Sequence, residues 1–168
     1  IYDKELFNYI VENISDILSA KNQTALKKII LRSCEIKSEV VSKDVNEDNI
    51  RMILNFGHTI GHALEGYFEY KKLLHGEAIL YGMKCALYLS HTIGNLNENE
   101  YHASLKALSA FTLPAINLKD KDSIIEFVKR DKKFRESQIR FVLISEIGKA
   151  ELSTDITLNH IEESLGVL

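Results

Sequence analysis

Apolar residues recur at intervals of three and four along most of this chain, and that spacing constrains the fold more than any other feature. Leu6, Phe7, Ile10, Val11, Ile14, Ile17 and Leu18 line one face of a helix expected over most of residues 3–20. Asn22 suits the cap of a second helix, whose stripe of Leu26, Ile29, Ile30, Ile36 and Val40 runs to about Val41. The polar residues 42–49 read as a loop. A third helix is expected over 49–65, capped by Asn49 and stopped by Gly66 and Tyr67. After a connection over 70–75, a very apolar helix covers 76–93, ended by Gly94 and Asn95, and another covers 97–111 before Pro114. Asp122 or Ser123 can cap a sixth, reaching about Lys129.

The period then changes. Residues 138–145 are short, β-branched and apolar, Gly148 turns the chain, and 150–152 can pair back. Residues 157–165 close with a short helix. One proline and eight glycines in 168 residues are too few for the frequent turns of a sandwich or barrel. The expected fold is mainly α, a multi-helix bundle with a small β-hairpin near the C-terminus. The pattern contains no βαβ alternation and no Gly-rich strand-to-helix turn, so no dinucleotide-binding half is expected within it.

Composition narrows the function. With 45% hydrophobic and 27% charged residues the chain can bury a core. A net charge of −3 gives no general attraction to nucleic acid or to an anionic membrane. No apolar run reaches the ~18 residues of a membrane span. Cys34 and Cys85 are too few for a disulfide framework, which suits a reduced, cytoplasmic protein. Both lie on apolar stripes and read as small core residues. The chain opens at Ile1, already inside an amphipathic pattern, and reads as a fragment of a longer protein.

The chemistry concentrates in residues 51–77. Arg51, Asn55, His58 and His62 fall at offsets of 0, 4, 7 and 11, one face of a continuous α-helix. Gly57 and Gly61 flank the histidines, each costing roughly 1 kcal/mol of helix propensity, which suggests close approach of another helix or a ligand. His75-Gly76-Glu77 opens the next helix, where an antiparallel return brings His75 back towards His58. Converging imidazoles with a carboxylate form a zinc-type constellation. Spacing alone selects His58 and His62, with Glu77 or His75 as a third ligand. Satisfied core or interface histidines are the alternative, and Glu77 can simply favour its helix N-terminus.

The run from Arg51 to Glu65 (RMILNFGHTIGHALE), with Leu74-His-Gly-Glu-Ala78 and Gly82-Met83, closely resembles the 3-dehydroquinate synthase family. Residues 34–41 upstream, and Asp131-Lys-Lys133, 139–143 and Ile147-Gly148 downstream, are similar to the same family. The resemblance covers nearly the whole chain and implies that residues 1–168 are the C-terminal helical domain of a two-domain enzyme, preceded by an NAD-binding domain. It implies conversion of a seven-carbon keto-sugar acid phosphate (DAHP) into 3-dehydroquinate with loss of phosphate, in the shikimate pathway. The implied cofactors are NAD, held mainly by the other domain, and zinc or another divalent metal such as cobalt. A cytoplasmic homodimer is implied, with no nucleic-acid or membrane partner.

By motif position, His58 and His75 resemble the metal ligands, which overrules the choice from spacing. His62 resembles a histidine that moves protons and contacts substrate. Lys37, Arg51, Asn55 and one of Lys132 and Lys133 resemble substrate-binding residues, with Lys37 also at the reacting centre. The third metal ligand of the family, a glutamate in an Ala-Glu-x-x-Lys motif, has no counterpart here before Lys37. That leads to the expectation of weak metal binding and no catalysis by the 168 residues alone. The loop 44–49 and the bulky Ile79-Leu80-Tyr81 depart from the family pattern without touching an expected ligand. Rival readings are another sugar-phosphate cyclase or metal-dependent polyol dehydrogenase, and a non-catalytic metal-binding or interaction module. Solvated surface positions are the ordinary alternative for Lys37, Arg51 and the basic run 129–135, and His91, His102 and His160 form no constellation.

Overall fold

A computed structural model describes residues 1–47, 49–130 and 140–168. Helices α1 (Lys4–Glu12), α2 (Ile14–Leu18), α3 (Gln23–Lys43), α4 (His58–Tyr67), α5 (His75–Thr92), α6 (Glu98–Ser109), α7 (Lys121–Arg130) and α8 (Leu158–Ser164) carry most of the chain. Strands β1 (Phe141–Glu146) and β2 (Lys149–Ser153) form an antiparallel hairpin. The expected mainly α bundle with a C-terminal hairpin is what the chain forms. Among the described residues no helix is long and apolar enough to cross a membrane.

Local chemistry sets the boundaries, and in several places it moves them. The first expected helix is two, because Asn13 leaves the helical region at φ −112° and its amide donates to the Tyr9 carbonyl. Asn22 does cap α3, accepting from the Ala25 N–H at 3.0 Å. The sixth helix takes its cap from Asp120, which accepts from the Ser123 N–H, rather than from Asp122 or Ser123. Gly66 does not stop α4. It lies inside the helix, where a Cβ would stand 2.6 Å from the Phe127 ring, so its bareness lets α7 pack close. The hairpin pairs Phe141 with Ser153 and Ile144 with Ala150, and Gly148 turns it at φ +98°.

Helix α5 is the axis of the core. Ala78, Ile79, Tyr81, Cys85, Ala86, Leu87 and Leu89 are buried along it, so it is covered on almost every side. It packs on α4, α6, α8 and β1. Polar side chains on this axis find partners. Ser90 Oγ donates to the Ala86 carbonyl and accepts from the Ile144 N–H of β1 at 3.0 Å. The Cys85 thiol donates to the Ser164 carbonyl, and burial pushes its pKa up to about 12. Cys34, by contrast, is exposed on α3 and is no core residue, because it shares a helix face with the exposed Ile30 and Leu31 rather than with the buried Ile36 and Val40.

Candidate functional site

The expected single helix over 49–65 is interrupted. Ile50–Asn55 form a 3₁₀ turn, and Gly57 adopts φ +79°, a left-handed conformation that no residue inside an α-helix holds. Asn49 provides no side-chain cap; the Asp44 carboxylate accepts from the Asn49 and Arg51 N–H groups instead. The break has a cause in packing. A Cβ on Gly57 would stand 2.7 Å from the Met83 nitrogen, and one on Gly61 2.6 Å from the Ile79 side chain. On the facing helix, a Cβ on Gly82 would collide with the Gly57 carbonyl. Three glycines thus let α4 and α5 approach backbone to backbone.

That approach brings His58 and His62 of α4 beside His75, the first residue of α5. Ring centroids are 5.4 Å apart for His58 and His62, 5.7 Å for His58 and His75, and 5.9 Å for His62 and His75. One ring nitrogen from each lies within 4.8 Å of the others. Two nitrogens bound to one zinc at ~2.1 Å can be no more than ~4.2 Å apart, so small side-chain rotations separate this arrangement from a ligand set. His58 is half-buried, whereas His62 and His75 are exposed, which leaves the cluster open to a small molecule.

The Nδ1 atoms of two of these rings have partners. His58 Nδ1 lies 3.3 Å from the Phe56 carbonyl, and His75 Nδ1 lies 3.1 Å from Glu65 Oε1. With hydrogen on Nδ1 in both rings, each presents its lone pair at Nε2. Glu77, the carboxylate candidate from spacing, accepts from the Leu74 N–H at 2.7 Å and so caps α5. The neutral-nitrogen donors suit a borderline-soft divalent ion such as zinc or cobalt. A cavity of about 760 Å³ opens beside His58 and His75, lined by Leu74, Met83, Phe111 and Leu113 among others. Another of about 470 Å³ holds His62 with Thr59, Glu65, Tyr70, Phe127 and Arg130.

The other sequence candidates are not among the residues lining these two cavities. Arg51 donates to the Val45 carbonyl at 2.7 Å and stands 3.7 Å from Glu47, and the Asn55 amide donates to the same Glu47 carboxylate at 2.7 Å. They are brought together, but on the 3₁₀ turn and around Glu47, and they do not share one helix face with the histidines. Lys37 is exposed on α3, at a third cavity of about 470 Å³ lined also by Ile1, Leu6 and Leu54. Lys132 and Lys133 lie outside the described residues. Sequence reasoning missed Glu65, which meets His75, and Glu47, which holds Arg51 and Asn55. Glu65 follows His62 at a spacing of three, which places it within reach on the same helix, and that was the available signal.

The sequence matches the family described as 3-dehydroquinate synthase C-terminal over residues 1–134. It is 44% identical over 156 residues to a 3-dehydroquinate synthase of Thermoanaerobacter pseudethanolicus, covering 92% of this chain and 43% of that protein. It is 39% identical over 165 residues to one from Shewanella pealeana, covering 97% of this chain and 46% of that protein. The chain therefore spans less than half the length of these relatives. In structure it is similar to 2-epi-5-epi-valiolone synthase from Streptomyces hygroscopicus with NAD+ and Zn2+ bound, at TM-score 0.85 and 25% identity over 99% of this chain and 47% of that one. It is also similar to 2-deoxy-scyllo-inosose synthase complexed with carbaglucose-6-phosphate, NAD+ and Co2+, at TM-score 0.71 and 30% identity, over 84% of this chain and 41% of that one.

Proposed function

We propose, since this chain belongs to the 3-dehydroquinate synthase C-terminal family, that it is the helical metal- and substrate-binding domain of a two-domain enzyme converting DAHP into 3-dehydroquinate with loss of phosphate. The observation that carries the reading is the meeting of three imidazoles at the α4–α5 contact, open to a cavity.

In this reading His58 and His75 present Nε2 to a divalent ion, zinc or cobalt, which would supply Lewis acidity to adjacent substrate oxygens. His62, exposed in the cluster, takes or returns a proton at a substrate hydroxyl, the work for which imidazole is suited near neutral pH. Arg51 and Asn55 already hold a carboxylate, that of Glu47, and the same donors can hold the carboxylate or phosphate of the substrate in exchange. Lys37 and one of Lys132 and Lys133 add positive charge for the remaining anion. In this reading the hydride chemistry of NAD belongs to a domain outside these 168 residues, which fits the NAD+ bound by 2-epi-5-epi-valiolone synthase, a chain of which this one covers 47%. A cytoplasmic homodimer completes the reading, and the two unpaired cysteines support a reducing compartment.

The test is phosphate release from DAHP by the enzyme that carries this chain. Turnover should require a divalent ion and should fall by at least two orders of magnitude in His58→Ala. The structural likeness to cyclases of other sugar phosphates supports a second reading, closure of a different sugar. Preferential turnover of a seven-carbon sugar phosphate lacking the carboxylate would move the assignment there.

A further inference from the structure

We infer that Glu65 is a positioning residue for the metal ligand His75, fixing its tautomer and ring orientation; the inference rests on the metal-binding reading above. Glu65 is only 9% exposed, and it sits on α4 one turn beyond His62. Burying a carboxylate is costly unless it is paired or hydrogen-bonded. Its side-chain partner is the ring of His75, with Oε1 at 3.1 Å from Nδ1. The Glu65 backbone adds to the arrangement, because its carbonyl accepts from Tyr70 N–H at 2.8 Å and so ties down the turn that leads to α5.

The direction of the bond matters. An ionised carboxylate only accepts, so the imidazole must carry its hydrogen on Nδ1 and its lone pair on Nε2. In free neutral histidine nothing imposes that choice, and in the exposed ring of His75 it is the Glu65 carboxylate that imposes it. Outer partners of this kind are typically worth 10–100-fold in metal affinity. Glu65 does not belong to the set of mutually close donor atoms, so it acts through His75 rather than as a ligand.

Two measurements on the enzyme that carries this chain test this. At pH 8, without metal, nitrogen-detected NMR of His75 should show the Nδ1–H tautomer in the native chain and in Glu65→Gln, whose carbonyl still accepts. Glu65→Leu, close in size and apolar, should lose that preference. Titration with Co2+ should then find the native chain tightest, Glu65→Gln intermediate and Glu65→Leu weakest. The loss from first to last should be 10–100-fold, with thermal melts within a few degrees of one another. An Nε2–H tautomer at His75 in the native chain, or equal cobalt affinity in all three, overturns the inference. Absence of cobalt binding in the native enzyme together with the Nδ1–H tautomer counts against the metal reading and leaves the Glu65–His75 pairing established. If Glu65→Leu fails to fold, Glu65→Gln with unchanged cobalt affinity and unchanged cobalt spectrum still overturns it.

Discussion

At Gly82 one added methyl group decides between two opposing effects. Alanine would improve helix propensity by ~1 kcal/mol. Its Cβ, however, would run into the Gly57 carbonyl, a backbone atom that cannot swing aside as a side chain can. Overpacking costs typically 1–3 kcal/mol, and a backbone collision belongs at the upper end. Gly82→Ala should therefore lose about 2 kcal/mol net, read by urea unfolding. Equal or greater stability would mean that α4 and α5 are not in backbone contact. The two cysteines give a second residue-scale expectation. Cys34 is exposed, while Cys85 is fully buried with its thiol pKa raised to about 12. A thiol reagent at pH 8 should modify one cysteine in the native chain and both in denaturant.

Among the elements, α6 shows how a charged side chain fastens three segments. Glu100 accepts from Lys4 of α1 at 2.8 Å and from the Ile147 N–H of the hairpin at 3.2 Å. The Lys4 bond above all, with the backbone bond behind it, holds this carboxyl below its ordinary pKa, against the opposing effect of burial. A depressed folded-state pKa means that the unfolded chain binds the proton more readily, so the stabilisation is present above the ordinary carboxylate range and is lost as pH falls through and below it. Glu100→Gln should be less stable than the native chain at pH 7 and should lose less on going from pH 6 to pH 3, measured by thermal unfolding across that range. Parallel curves would show that the ion pair contributes nothing, as many exposed ones do not. The interruption before α4 belongs to the same scale. Residues 50–64 carry helical periodicity throughout, yet the packing of Gly57 on Met83 overrides it, and Arg51 and Asn55 end up with Glu47.

For the molecule as a whole, the expected behaviour of the three histidines separates the two ligand assignments. Metal analysis of the enzyme carrying this chain should show loss of zinc or cobalt in His58→Ala and in His75→Ala, and retention with slow turnover in His62→Ala. Metal lost in His62→Ala and kept in His75→Ala would restore the pair chosen by spacing. How far the amino-acid order alone reached follows from the range of the forces involved. The helical stripes, the Asn22 cap, the change of period at the hairpin and the buried α5 were legible, because side-chain periods of 3.6 and 2 and local capping bonds are set by neighbours in sequence. The motif from Arg51 to Glu65 marked the histidines and the glycines for the same reason. Whether Cys34 faced solvent was decided by which face of α3 packs on the 3₁₀ turn, α1 and α2, while where α4 began and that Glu65 would meet His75 across ten residues were decided only when α4 and α5 closed on one another. Those outcomes depend on the shape of a surface supplied by another segment, and no spacing within one segment encodes it.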